Sequence, residues 1–146
     1  MKKILIINGP NLNLLGHRDP AVYGSETLAD TLARVSAEFA SHTDLEIQHF
    51  QSNSEGAIID AIHEAGFDPD CVGIVINPGA YAHYSYAIAD AMAAVPVPIV
   101  EVHISNIFAR DEFRHTSVTA PSAVALISGA GRDGYSLAVN FLIKRL

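Results

Sequence analysis

Short apolar runs alternate with longer amphipathic stretches along the whole chain. Ile4-Leu5-Ile6-Ile7 has no polar position, which predicts a strand buried on both faces. A Gly-, Pro- and Asn-rich segment follows, from Asn8 to Gly24. Ser25 is placed as a helix N-cap, and Leu28, Leu32, Val35 and Phe39 keep the helical period to about Ala40. Leu45 to Phe50 reads as a second strand. Ser54 caps a helix to about Ala65, with Ile58, Ile59 and Ile62 inward and Gly66 as its C′ residue. Val72 to Ile76 predicts a third strand, which Asn77-Pro78-Gly79 stops. A helix from about His83 to Ala94 ends before Pro96, and Ile99 to Val102 predicts a fourth strand. The polar stretch from His103 to Thr116 reads as loop with a helical turn, and Val124 to Ile127 as a short fifth strand. Gly129, Gly131 and Gly134 precede a last helix that runs to Arg145.

Strands that alternate with helices predict a parallel sheet covered on both faces. Five strands in 146 residues point to an α/β fold. The expected form is a flavodoxin-like doubly wound five-stranded parallel sheet, order 2-1-3-4-5, with helices on both faces and one domain over residues 1–146. Ligands of such sheets bind beyond the carboxyl ends of the strands, where the strand order reverses. That point lies between the first and third strands. The first ends in Asn8-Gly9-Pro10-Asn11, the third in Asn77-Pro78-Gly79-Ala80 and the fourth in Glu101-Val102-His103-Ile104-Ser105.

The strand ends carry the candidate chemistry. Asn8, Asn11, Asn13 and Asn77 can all donate and accept hydrogen bonds. Asn8 and Asn13 are read as turn-shaping, while Asn11 and Asn77 fit either a turn or a site. His83 and His103 could give or take a proton near neutral pH. A lone histidine would be read as satisfied by nearby backbone; two at strand ends favour a site. Arg18, Arg110 and Arg114 lie in long loops, and Arg110 and Arg114 share a face if their segment is helical. Arginine grips a carboxylate with two hydrogen bonds, although a surface arginine is more often merely solvated. Tyr23 could act as a base only if its phenolate were stabilised, since a phenol titrates near 10. Arg18, in the same loop, could supply that charge; otherwise Tyr23 is a packing residue.

Composition narrows the picture. The chain is 49% hydrophobic and 17% charged, against about a quarter charged in ordinary domains. That hints at surface covered by other subunits. A net charge of −7 gives no general attraction for nucleic acid or anionic membranes. An anionic ligand would need a local positive site. Cys71 is the single cysteine, so no intramolecular disulfide forms, which suits a reducing compartment. The apolar run after Met1-Lys2-Lys3 is too short for a signal peptide, and no run approaches the ~20 residues of a membrane span. A cytoplasmic protein with no membrane partner is expected. His63-Glu64 does not continue into a zinc-protease pattern, and no metal site is expected.

Several motifs together resemble one family. Ile7-Asn8-Gly9-Pro10-Asn11-Leu12-Asn13, then Leu15-Gly16 and Pro20-Ala21-Val22-Tyr23-Gly24, resemble the amino-terminal signature of type II 3-dehydroquinate dehydratases. Gln51 to Gly56, Ile76 to Tyr81, Glu101 to Ile107 and Arg110 to Arg114 match in order, so the resemblance covers nearly the whole chain. It implies a lyase of the shikimate pathway, in one catalytic domain. Such an enzyme converts 3-dehydroquinate to 3-dehydroshikimate by trans elimination through an enolate, without cofactor. The resemblance makes Tyr23 the base, Arg18 its phenolate partner, Asn11 the holder of a water for the enolate and His103 the acid. It makes Asn77, His83, Ile104, Ser105 and Arg114 substrate-binding, with Arg110 close by. Asp90 matches an acidic residue that reaches a neighbouring subunit's site, which implies trimers, four to a dodecamer. Tyr84-Ser85-Tyr86 and Ala89 depart from the family's usual residues on the expected interface helix.

A nucleotide- or flavin-binding protein of similar fold is the alternative. It would need a glycine-rich phosphate loop after the first strand. Asn8-Gly9-Pro10-Asn11-Leu12-Asn13 is not one, and Pro10 removes a backbone donor. A receiver module would need an acidic cluster where this chain has amides.

Overall fold

The computed structural model describes residues 1–17 and 19–146, with backbone alone at Val22 and Tyr23. Its sheet contains β1 (Lys2–Asn8), β2 (Leu45–Gln51), β3 (Cys71–Asn77), β4 (Ile99–His103) and β5 (Ala125–Ser128). They lie in the order β2-β1-β3-β4-β5, and each neighbouring pair is parallel. This is the doubly wound flavodoxin-like arrangement that the alternating pattern predicts.

The helices are α1 (Pro20–Tyr23), α2 (Leu28–Glu38), α3 (Glu55–Gly66), α4 (Tyr86–Ala94) and α5 (Asp133–Ile143). Strand alternation sends side chains to opposite faces. Ile4, Ile6, Val75, Val100 and Val102 pack with Leu28, Leu32 and Val35 of α2 and Ala138, Val139 and Leu142 of α5. Ile7, Ile74, Ile76 and Ile99 pack on the other face with Ile58 and Ile62 of α3 and Ile88, Ala91 and Met92 of α4. The same alternation aims Asn8 and Asn77 toward α5, and Glu101 and His103 toward the α3/α4 face.

Several element ends differ from the expectation. The N-cap of α2 is Thr27, not Ser25. Thr27 Oγ1 accepts from the Asp30 amide at 3.1 Å, and the Asp30 carboxylate accepts from the Thr27 amide at 3.1 Å. Ser25 has Leu28 three residues on, so it cannot form this capping box. Pro20 opens an unanticipated short helix, α1, inside the expected loop. Residues Gly79–His83 form a 3-10 turn, and Ser85 caps α4, accepting from the Ile88 amide at 3.1 Å. His83 therefore precedes the helix that it was expected to begin. The stretch from His103 to Thr116 holds two 3-10 turns, Ile107–Ala109 and Glu112–Arg114, so Arg110 and Arg114 share no continuous helix. Gly66 is the last residue of α3, not its C′. Its lack of a side chain serves packing: a Cβ there would lie 2.4 Å from Val95 Cβ.

The strand ends meet where the order reverses. The Gly9 amide donates to the Asn77 carbonyl at 2.8 Å. A Cβ on Gly9 would stand 2.5 Å from the Pro78 carbonyl oxygen, closer than van der Waals contact allows. Gly9→Ala is expected to push the two loops apart and to cost about 2 kcal/mol or more. Denaturant unfolding measures this, and an unchanged midpoint would mean that the loops separate freely.

Candidate functional site

A cavity of about 170 Å³ opens beyond the ends of β1, β3 and β4. Asn11 lies on its wall from the β1 end, Asn77 and His83 from the β3 end, and His103, Ile104 and Ser105 from the β4 end. Arg110 and Arg114 reach it from the loop beyond β4. Eight residues singled out from the sequence thus share one cavity. Asp90 does not line it: α4 turns Ile88, Ala89, Ala91 and Met92 inward and leaves Asp90 exposed. Arg18 and the side chain of Tyr23 lie outside the described residues. Among the described residues, no group of three or more His, Cys, Asp or Glu side chains is placed to hold a metal ion.

The loop after β1 is braced by the end of β2. Asn11 has a left-handed backbone, φ 67°, and its amide donates to Asn53 Oδ1 at 3.0 Å. Gln51 Nε2 donates to the Gly9 carbonyl and to Asn53 Oδ1, both at 3.2 Å. Asparagine tolerates φ > 0 better than most residues, so Asn11 both shapes the turn and faces the cavity. The two readings left open for it are compatible.

His103 has a buried carboxylate behind it. Glu101 is fully buried and shares a face of β4 with His103, two residues on. His103 Nε2 lies 2.9 Å from Glu101 Oε2. Ser117 Oγ donates to the same oxygen at 2.7 Å, and Thr119 Oγ1 donates to Oε1. A carboxylate offers only acceptors, so the imidazole proton sits on Nε2. The pair fixes the ring's orientation. The rings of His83 and His103 stack with centroids 6.3 Å apart, and His83 Nδ1 lies 2.8 Å from the Thr116 carbonyl.

The positive end is built differently. Arg114 lies over the Phe113 ring, 4.6 Å from its centroid, and its buried Nε has no hydrogen-bond partner among the described residues. A buried guanidinium donor without a partner is costly unless a ligand satisfies it. Arg110 Nη1 donates to Ser105 Oγ over a long 3.4 Å, while its carbonyl accepts from His115 Nε2 at 2.8 Å. The cavity therefore combines a cationic anchor, amides and a carboxylate-backed imidazole, a set suited to a small polyhydroxylated anion.

Glu101 is a functional group that the strand-end reading leaves out. Its signal was present: one acid inside Ile99-Val100-Glu101-Val102, two residues from a histidine and so on the same strand face. Ser117, Thr119 and Tyr135 carried no comparable signal. A larger cleft, about 840 Å³, lies between β2 and α3. Glu46, Asp60, Glu64 and Asp68 on its walls make it unsuited to an anion. Charge, not size, selects the smaller cavity.

The chain is similar to known proteins over nearly its whole length. Residues 2–143 match the family model described as dehydroquinase class II. The catabolic 3-dehydroquinase of Pyricularia oryzae is 54% identical over 143 residues, 98% of this chain and 90% of that protein. The 3-dehydroquinate dehydratase of Bacillus licheniformis is 54% identical over 144 residues, 99% of this chain and 97% of that protein. The crystal structure of a type II dehydroquinase from Butyrivibrio crossotus superposes with a TM-score of 0.92 at 50% identity, covering 97% of each chain.

Glu101→Ala would strand three donors at once, two of them, on His103 and Thr119, buried. It is expected to destabilise the protein by about 3 kcal/mol or more. Chemical denaturation checks it, and a loss under about 1 kcal/mol would mean that the network adds little to stability.

Proposed function

We infer what this site does from one premise: the chain belongs to the class II dehydroquinase family. It is a 3-dehydroquinate dehydratase, a hydro-lyase that converts 3-dehydroquinate to 3-dehydroshikimate and water. The nucleotide- or flavin-binding alternative is not favoured. The residue roles rest on the cavity that joins the buried Arg114 Nε, without a partner among the described residues, to the Glu101–His103 pair.

The roles follow from the demands of the reaction. The substrate is an anion, and Arg114 takes its carboxylate with the guanidinium whose Nε has no partner among the described residues. The Tyr23 phenolate, favoured by Arg18, removes the proton on carbon 2 next to the ketone. Electrons move onto the ketone oxygen as an enolate, which a water held by Asn11 stabilises. The enolate then collapses: the carbon 1–oxygen bond breaks, the carbon 1–carbon 2 double bond forms, and His103 protonates the departing hydroxyl. One proton leaves carbon 2 and another joins the hydroxyl, so water is the only by-product. Asn77, His83 and the loop of Ile104 and Ser105 orient the ring hydroxyls. Arg110 adds positive potential at the cavity mouth.

We place Asp90 in a neighbouring subunit's site, within trimers that assemble as a dodecamer. Its exposed position supports this, as do the exposed Tyr84 and Tyr86 beside the almost wholly apolar α4. Residues 1–146 act as one catalytic domain. The reaction takes place in the cytoplasm; no helix of the described residues is long and apolar enough to cross a membrane.

Purified protein with 3-dehydroquinate is expected to give a rising near-ultraviolet enone absorbance, with chelator present. Tyr23→Phe should keep its fold and substrate binding and lose turnover by about a thousandfold. No absorbance rise from folded wild-type protein would overturn the activity. A Tyr23→Phe variant near wild-type turnover would assign the base elsewhere.

A further inference from the structure

We propose that Tyr135 is a positioning residue: with Asn8 it forms a buried relay that locks the Asn77 amide so that Asn77 faces the cavity as a hydrogen-bond donor. The inference rests on the activity read above, and it concerns how the cavity wall is held.

Three polar side chains meet inside the α2/α5 core, away from solvent. Asn8 and Tyr135 are fully buried and Asn77 nearly so. Tyr135 Oη donates to Asn8 Oδ1 at 2.5 Å. Asn77 Nδ2 donates to Tyr135 Oη at 3.0 Å, and the Gly79 amide donates to Asn77 Oδ1 at 3.1 Å. Asn8 and Asn77 end adjacent strands in register, and Tyr135 reaches both from the first turn of α5. Gly134 allows that reach, because a Cβ there would already press on Val102 Cγ1 at 3.0 Å.

The direction of every bond in this chain is forced from one end. The Gly79 N–H is a backbone donor and cannot reverse, so the atom facing it must be the Asn77 oxygen. That orientation turns Asn77 Nδ2 toward Tyr135. The phenol oxygen has one proton, and against an N–H it must accept. Its own proton then has one place to go, the Asn8 oxygen. Asn8 in turn must hold its Nδ2 away, and that nitrogen is buried without a partner among the described residues. Flipping Asn77 would set its NH₂ against the Gly79 N–H, and flipping Asn8 would set its NH₂ against the phenol proton. Burial pushes the Tyr135 phenol up to about 12, so it remains a protonated donor throughout the working pH range.

The consequence lies at the cavity. Asn77 Nδ2 carries two protons, of which Tyr135 takes one. With Oδ1 held by Gly79, the second N–H is what Asn77 can offer a ligand from the cavity wall. A substrate hydroxyl there is met by a donor whose direction does not have to be found on binding. The Asn77 backbone is clamped as well, through its carbonyl and the Gly9 amide at 2.8 Å.

A double-mutant cycle on kcat/KM separates this role from plain packing. Tyr135→Phe preserves shape and removes the relay, and is expected to lower kcat/KM about tenfold in the wild-type background. In an Asn77→Ala background the same change should alter kcat/KM by less than about twofold, because no amide is left to position. Thermal midpoints should fall in both backgrounds, so stability and activity part company. An equal fold-loss of kcat/KM in both backgrounds, or wild-type kcat/KM from folded Tyr135→Phe, would overturn the relay. If Tyr135→Phe does not fold, Asn8→Ala takes its place in the cycle with the same two outcomes. An active wild type with a failed cycle refutes the relay alone; an inactive wild type refutes the activity and the relay together.

Discussion

The close approach of the β1 and β3 ends is the constraint on which the site depends. Gly9 and Pro78 stand so near each other that no side chain fits between them. The Gly9–Asn77 backbone bond holds the pair together. This contact exists because the sheet reverses its order here, so one connection leaves toward α2 and the other toward α4. The crevice between them is the cavity floor. Asn11 and Asn77 face it because their loops cannot separate.

The His103 side of the site is built on the opposite face of the sheet. β4 sends Val100 and Val102 to one core and Glu101 and His103 to the other side. A buried carboxylate is tolerable only when its oxygens are satisfied, and His103, Ser117 and Thr119 do this. The segment carrying Ser117 and Thr119 thereby becomes part of the support for His103. On the α2/α5 face Tyr135 plays the matching part for Asn77. The cavity is therefore supported from both cores, which suits a reaction needing fixed groups at two ends of a small ring.

The fold was legible because its signals are periodic. Ile4 to Ile7 and Val72 to Ile76 are apolar without interruption, as strands covered on both faces must be. Element ends were less legible because they turn on single hydrogen bonds. Thr27 wins the cap from Ser25 through an acid three residues later, and Ser85 delays α4 beyond His83. Gly66 looked like a helix terminator, yet Val95, distant in sequence, explains it. The site was partly legible because its residues cluster at strand ends. Asn8 reads as turn-shaping in the sequence, whereas it is buried and bonded to Tyr135. No sequence pattern could reveal that contact, which spans 127 positions and forms only when α5 packs on the sheet.

We place the anionic substrate in the small strand-end cavity and not in the larger acidic cleft between β2 and α3. Hydrogen–deuterium exchange, with and without the equilibrated substrate–product mixture, tests this directly. Bound ligand should protect amides in segments 77–83 and 103–114 and leave 45–51 and 57–65 unchanged. Protection confined to 45–51 and 57–65 would put the ligand in the cleft between β2 and α3 instead.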